Sequence, residues 1–196
     1  LFRDFLRIGG MPAAINEYLQ TDNLNNIPTI HKSIYYTYLS EFTRRYNESS
    51  ALRLQQLYSG IEEQLLKQNK NFRYNQIRKG ATHTMYKHEL QILIDLHLVN
   101  KVERAEVFPN SNNSKNIDIH ENQYRLYPND TGILYTKILS AFPYEITDST
   151  EEEENVEYSD NLYQLLAETY FAQLLDTRKL PKMFWESTSL SKIDFI

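Results

Sequence analysis

Two acidic residues near the end of the sequence form half of the pattern expected of a metal-dependent nuclease. Glu168 falls in a segment whose apolar spacing predicts a helix over about 160–175, and Asp194 falls in a strand-like run over 192–196. Nucleases of this kind bring two or three carboxylates together on Mg²⁺, because a hard cation prefers oxygen ligands and offsets charge on the attacked phosphate. The missing half would be a following strand with a carboxylate and a lysine, and the sequence stops before one. Glu168 and Asp194 are therefore candidate catalytic residues, with structural roles as the alternative.

A second candidate site is a basic segment in the first half of the chain. Residues 67–88 contain six Lys and Arg residues and no Asp or Glu. Clustered cations of this kind attract the phosphate backbone of nucleic acids. The candidate nucleic-acid-binding residues are Lys70, Arg73, Arg78, Lys79, Lys87 and His88. A packing or partner-binding role is the alternative, since the formal net charge of the whole chain is −5.

The negative charge is concentrated further along the chain. Residues 145–160 contain eight Asp and Glu residues and no Lys or Arg. Such a run is typical of a solvated, self-repelling loop, and it predicts an acidic linker over 143–158. The acidic total thus averages two segments of opposite charge.

Other kinds of site lack the residues that they need. The sequence has no cysteine, which excludes thiolate nucleophiles, disulfides and Cys-ligated zinc, and it contains neither a phosphate-binding P-loop nor a nucleophilic serine elbow. His83 and His88 are five residues apart and do not share a helix face as zinc ligands would. We therefore predict no metal or cofactor site in this sequence. The lack of cysteine agrees with a cytoplasmic location, and no apolar run approaches the ~20 residues of a membrane helix.

The basic residues fall on elements in the order of a winged helix-turn-helix. A helix capped by Ser49 or Ser50 is followed by a short element over 72–77 and by a third helix over about 82–97. A hairpin over 98–127 would form the wing, with a polar loop at 110–122 joining its strands. In a DNA-binding version of this architecture the second element and the third helix contact the DNA. The same architecture also serves as a protein-binding module.

The remaining segments lie on both sides of this unit. Residues 1–22 predict two short helices divided by Gly9-Gly10-Met11-Pro12, and a longer helix follows from Pro28 to about Tyr46. Near the end, a helix beginning at Ser159 or Asp160 precedes strand-like runs over 183–187 and 192–196. The predicted fold is mainly α with a small β content (α+β). Its predicted parts are a helical segment (1–48), a winged-helix-like domain (49–142), the acidic linker (143–158) and a partial nuclease-like domain (159–196).

Several motifs occur in the order found in a known family. They are the segments Phe5 to Ala14, Tyr36 to Phe42, Asn69 to Tyr74, Leu93 to Val99, Tyr124 to Leu134, Ala167 to Leu175, Phe184 to Ser187 and Lys192 to Ile196. Together they resemble the C-terminal domain of unknown function of bacterial and archaeal AAA-superfamily ATP-binding proteins. The resemblance implies an ATPase domain before Leu1, which would bind ATP and Mg²⁺. It also implies that the tail is the beginning of a restriction-endonuclease-like α/β unit, with Lys192 where the family usually has Glu.

The resulting functional prediction is a non-catalytic region of an AAA-type ATPase that acts as a DNA- or protein-binding adaptor. One alternative is a metal-dependent nuclease-like domain that is incomplete in this sequence, and another is an oligomerisation module. The expected partners are duplex DNA or a protein, together with the ATPase domain in cis, and no membrane association is expected.

Overall fold

The computed structural model describes residues 1–109, 115–141, 152–187 and 191–196. The described residues form a mostly helical α+β fold with a small mixed sheet, as the sequence predicts. The helices are α1 (Phe2–Ile8), α2 (Pro12–Thr21), α3 (Ile27–Arg45), α4 (Glu48–Ser59), α5 (Ile61–Leu65), α6 (Tyr74–Ile77), α7 (His83–Asp95), α8 (Thr131–Ala141) and α9 (Glu152–Thr177). The strands are β1 (Val99–Pro109), β2 (Lys115–Pro128), β3 (Met183–Glu186) and β4 (Lys192–Ile193).

The predicted helices of the first half are confirmed, with one difference at a helix start. The sequence predicts Ser49 or Ser50 as the N-cap of α4, but the N-cap is Asn47. Its Oδ1 accepts a hydrogen bond from the backbone N–H of Ser50 at 3.0 Å. Asparagine and serine are equally good caps, so composition alone does not separate them. Helix α4 therefore begins at Glu48 and ends at Ser59, and Gly60 separates it from α5.

The sheet has the strand order β2-β1-β3-β4. Strand β1 pairs antiparallel with β2 and parallel with β3, and β4 pairs antiparallel with β3. The prediction of a loop over 110–122 is wrong for its second part, because β2 begins at Lys115. Its polar residues pair through their backbone with the outer half of β1, and side-chain polarity carries little information about such pairing. Residues 110–114 lie outside the described residues.

Helix α9 begins earlier than predicted, at Glu152 instead of Ser159 or Asp160. The second half of the predicted acidic linker is therefore helical. Glutamate is a good helix former, and its charge is favourable at a helix N-terminus, so a glutamate run can start a helix as readily as it can form a loop. Residues 143–151 of the predicted linker lie outside the described residues. Strand β4 is also shorter than the predicted run over 192–196.

One main core joins the helices to the sheet. It includes Leu6 of α1, Leu134 of α8, Leu166 of α9 and Phe184 of β3, each almost fully buried. The segments predicted as separate domains thus pack on a common core, while their boundaries stay a prediction. No helix among the described residues is both long and apolar enough to cross a bilayer.

Candidate functional site

Five of the six predicted nucleic-acid-binding residues lie around α6 and in α7. Arg73 directly precedes α6, Arg78 and Lys79 follow it, and Lys87 and His88 lie in α7; all five are exposed. None of these five makes an ion pair with another residue that the structure describes. Elsewhere many cations are paired, among them Arg3, Arg44, Arg45, Arg53, Lys101, Lys137 and Lys182. Four unpaired Lys and Arg side chains and His88 therefore lie around α6 and in α7, and we define the basic segment as these five residues.

Aromatic residues beneath the basic segment tie it to the hairpin. The hydroxyls of Tyr74 and Tyr124 are 2.5 Å apart, and Nδ1 of His83 lies 3.2 Å from the Tyr74 hydroxyl. The backbone N–H of Phe72 donates to the carbonyl of Tyr124 at 2.8 Å. These contacts hold α6 and the start of α7 against β2, so the cations before and after α6 are carried on a packed support.

His83 reports the local electrostatics of this region. Its pKa is lowered, first by burial and then by the positive charges of Lys87 and Lys101. A neighbouring cation disfavours the charged form of histidine, so Lys87 and Lys101 add to the effect of burial on His83.

Lys70 is placed differently from the other predicted nucleic-acid-binding residues. Its Nζ donates to both carboxylate oxygens of Glu168, each at 2.7 Å, and its side chain is largely buried. The carboxylate of Glu168 also accepts from the Tyr127 hydroxyl at 3.0 Å and from Nε2 of Gln164 at 3.2 Å. Burial, and secondly the charge of Glu168, raise the pKa of the Tyr127 hydroxyl, which therefore stays a donor. Lys70 and Glu168 form a buried ion pair.

Asp194 is bound by a second buried cation. Nη1 of Arg125 donates to Oδ1 of Asp194 at 2.6 Å, and the guanidinium carbon of Arg125 lies 4.0 Å from the centre of the Phe184 ring. Arg125 is 2% exposed and interacts electrostatically with the Tyr127 side chain. Its bond to Asp194 helps to raise its pKa against the effect of burial, so Arg125 stays charged.

The structure thus brings the two predicted catalytic residues into one set of contacts. We define the charge network as Lys70, Glu168, Tyr127, Arg125 and Asp194. Each carboxylate in it already accepts hydrogen bonds from a cation, and no group of three or more His, Cys, Asp or Glu among the described residues is placed to hold a metal ion. Sequence reasoning missed Arg125 and Tyr127, although an arginine inside the aromatic strand Tyr124-Arg125-Leu126-Tyr127 is a signal of buried pairing.

A second buried polar cluster joins α1, α3 and α8, and we call it the glycine junction. Oδ2 of Asp130 accepts from the backbone N–H of Gly10 at 2.8 Å, and Oδ1 accepts from that of Ile133 at 2.7 Å. Asp130 therefore caps the first turn of α8 and fixes the break after α1. Burial raises the pKa of Asp130, and these backbone donors oppose that effect.

His31 completes the glycine junction. Nε2 of the ring lies 3.0 Å from the carbonyl oxygen of Ile8, and Nδ1 lies 2.9 Å from the hydroxyl of Thr136. A carbonyl can only accept, so Nε2 carries the proton and Nδ1 accepts from Thr136. Burial lowers the pKa of His31, partly offset by the charge of Asp130. His31 is a neutral histidine with both ring nitrogens bonded.

The neutral form of His31 makes stability depend on pH. In the unfolded chain the ring titrates near its ordinary pKa of 6.5, whereas in the fold its pKa is lower. Below about pH 6.5 the unfolded state therefore binds more protons than the folded state. As the pH falls, the titration of His31 should lower the free energy of unfolding by up to about 1.4 kcal/mol per pH unit. The pKa of Asp130 is raised in the fold, so its titration changes the free energy of unfolding in the opposite direction. This effect is confined to the pH range between the ordinary pKa of 3.8 and the raised pKa of the folded state.

Urea unfolding at pH 7.5, 6.5 and 5.5 measures this effect. We expect the free energy of unfolding to decrease across this series for the wild type and to decrease less for His31→Asn, which cannot titrate. Equal pH dependence of the two proteins would show that His31 is not the responsible group.

A family model described as a domain of unknown function, DUF8612, matches residues 1–145. The chain belongs to this family. No curated protein and no solved structure is similar enough to the chain to count as a match. The DUF8612 region contains the glycine junction and the whole basic segment, together with Lys70, Arg125 and Tyr127 of the charge network. Glu168 and Asp194 lie beyond it, so the charge network joins the DUF8612 region to the tail.

Proposed function

We propose that this DUF8612 protein binds duplex DNA through the phosphate backbone, using the basic segment. The observation that carries the proposal is the clustering of four exposed cations, Arg73, Arg78, Lys79 and Lys87, none of which makes an ion pair with another described residue. Unpaired cations on a packed support retain their attraction for phosphate, because no carboxylate among the described residues pairs with them.

The order of elements supports the same proposal. Helix α4, the short α6, α7 and the β1–β2 hairpin occur in the order of the elements of a winged helix-turn-helix, with the five-residue α5 between α4 and α6. In that architecture the second and third helices contact DNA, and these are the elements that carry the basic segment. We further propose, from the resemblance noted above, that the chain is an adaptor region of an AAA-type ATP-binding protein. ATP and Mg²⁺ would then belong to the ATPase domain.

The two alternative functions depend on other residues. A nuclease would use Glu168 and Asp194, whose oxygens are bonded to Lys70 and Arg125 and would have to exchange these partners for a metal ion. A protein-interaction or oligomerisation module would use exposed apolar side chains, of which Phe2, Phe5 and Phe171 are examples. Neither explains why unpaired cations gather around α6, so DNA binding is the function that we put forward.

Neutralising the basic segment should weaken DNA binding and flatten its dependence on salt. In the triple variant Arg73→Gln, Lys79→Gln, Lys87→Gln, three phosphate contacts are lost. Each contact contributes about 0.9 to the slope of log affinity against log salt, so the slope should decrease by about 2 to 3 and the affinity at low salt by at least about tenfold. Fluorescence anisotropy of a labelled duplex over a salt series measures both quantities.

A matched triple variant separates local charge from net charge. Lys32, Arg178 and Lys179 are exposed, and none makes an ion pair with another residue in the described part of the chain. Changing all three to Gln removes the same charge and should leave most of the binding intact. Equal losses in the two triples, or no binding by the wild type at low salt, would contradict the proposal.

A further inference from the structure

A cleft of about 380 Å³ opens beside α5 and α9. Three parts of the chain form its walls: the end of α5 with the residues that follow it, the middle of α9, and β4. The lining residues are Leu65, Leu66, Lys67, Gln68, Lys70, Asn161, Leu162, Gln164, Leu165 and Lys192. Its volume falls in the range of small-molecule sites, about 300–1,000 Å³.

The polar part of this lining is cationic. It contains Lys67, Lys70 and Lys192, and no carboxylate is among the described residues that line it. Lys70 uses two of its three N–H donors on Glu168, which leaves one for another acceptor. Lys192 is exposed and has no ion-pair partner among the residues described, and Lys67 donates only to the amide oxygen of Gln76, at 2.8 Å.

Two acidic groups near the cleft are already engaged. Glu168 is bonded by Lys70, Tyr127 and Gln164, and Asp160, next to the cleft residue Asn161, pairs with Arg3 at 3.2 Å. Glu63 of α5 is exposed and does not line the cleft. The pair of Lys70 with Glu168 is neutral as a unit, so the net charge of the described lining is the positive charge of Lys67 and Lys192. An anionic group is the ligand that such a lining favours.

The other part of the lining is apolar. Four leucines contribute to it; Leu66 is partly exposed, and Leu65, Leu162 and Leu165 are buried. The side-chain amides of Gln68, Asn161 and Gln164 lie in the same lining and can bond an anion without adding charge. An inorganic ion would leave the apolar part of the lining in contact with water, and an uncharged apolar molecule would leave the lysines without an acceptor.

We propose that this cleft binds a small organic anion with a phosphate or carboxylate head and a short apolar body. The head accepts hydrogen bonds from Lys192, Lys67 and the free donor of Lys70, and the body packs against the apolar part of the lining. None of the five residues of the basic segment lines the cleft.

Calorimetric titration of the 196-residue chain with four probes tests the proposal. Hexyl phosphate and hexanoate carry head and body, inorganic phosphate carries the head alone, and 1-hexanol carries the body alone. Burial of a few methylene groups, at about 0.8 kcal/mol each, should make the better of the two amphipathic anions bind at least about tenfold more tightly than inorganic phosphate. Tight binding of either anion supports the proposal and identifies the head group, and equal binding of hexyl phosphate, hexanoate and inorganic phosphate overturns it.

Variants place the ligand in the cleft. Lys192→Gln removes an exposed cation and should weaken binding of the preferred anion about tenfold, the value of one charge-assisted hydrogen bond. Lys179→Gln, the matched control, should bind as the wild type does. The Arg73→Gln, Lys79→Gln, Lys87→Gln triple should also bind as the wild type does, because the basic segment is not part of the cleft. Binding that is unaffected by Lys192→Gln, or that is lost in the triple, would overturn the proposal without bearing on DNA binding.

Discussion

Replacing Gly132 with alanine should lower the free energy of unfolding by about 3–5 kcal/mol. A Cβ at this position would lie 2.5 Å from Cε1 of His31 and 2.6 Å from the carbonyl oxygen of Ile8. The His31 ring cannot retreat without breaking its bonds to Ile8 and Thr136. The variant therefore combines overpacking, about 1–3 kcal/mol, with a buried donor or acceptor left unsatisfied, about 1–3 kcal/mol.

Gly10 offers the matched control within the same junction. A Cβ there would meet its nearest atoms at 3.7 Å, and the residue is exposed, so Gly10→Ala should change stability by no more than about 0.5 kcal/mol. Gly9→Ala should behave like Gly132→Ala, because Gly9 has a φ of +69° and its Cβ would lie 2.6 Å from Oδ1 of Asp130. Urea denaturation of the three variants measures the differences. Similar midpoints for Gly132→Ala and Gly10→Ala would disprove the proposed close packing.

Removing the carboxylate of Glu168 should be comparably destabilising. In Glu168→Ala the ammonium of Lys70 stays buried without its counter-charge, and the Tyr127 hydroxyl loses its acceptor. Breaking one side of a buried ion pair costs about 3–5 kcal/mol. Glu63→Ala, which removes an exposed glutamate without an ion pair to any described residue, should leave stability within about 0.5 kcal/mol of the wild type.

A double variant tests the mechanism of this loss. If the cost comes from an unpaired charge, Lys70→Met combined with Glu168→Met should be more stable than either single change, since an apolar pair can replace a buried ion pair at little cost. Thermal unfolding of the four proteins gives the coupling energy, and simple additivity would contradict the explanation. A loss of activity in a Glu168 variant would accordingly not identify Glu168 as catalytic unless the variant were shown to be folded.

The parts of the fold that follow from local pattern could be predicted from the sequence. Apolar spacing and the Gly-Gly-Met-Pro break define α1, α2 and α3, and the third helix of the predicted winged unit is found at His83–Asp95. The polar residues 115–122 were not recognised as a strand, because their pairing depends on the opposite strand and not on their own composition.

The candidate sites divide in the same way. Exposure of Arg73, Arg78, Lys79, Lys87 and His88 is consistent with the local charge pattern, because residues 67–88 contain no Asp or Glu. Lys70 belongs to the same run, but its partner is 98 residues away, and Arg125 and Asp194 are 69 residues apart. Pairings over such separations are set by the packing of whole elements, and no spacing rule along the chain encodes them.

The charge network has a consequence for the cooperativity of folding. Its cations, Lys70 and Arg125, lie inside the region matched by DUF8612, and its carboxylates lie in the tail beyond residue 145. Separating these two parts would leave two buried cations without counter-charges and would expose core leucines of α9. The cooperative folding unit of this protein is therefore larger than the family region, and the tail supplies the counter-charges for the buried cations of that region.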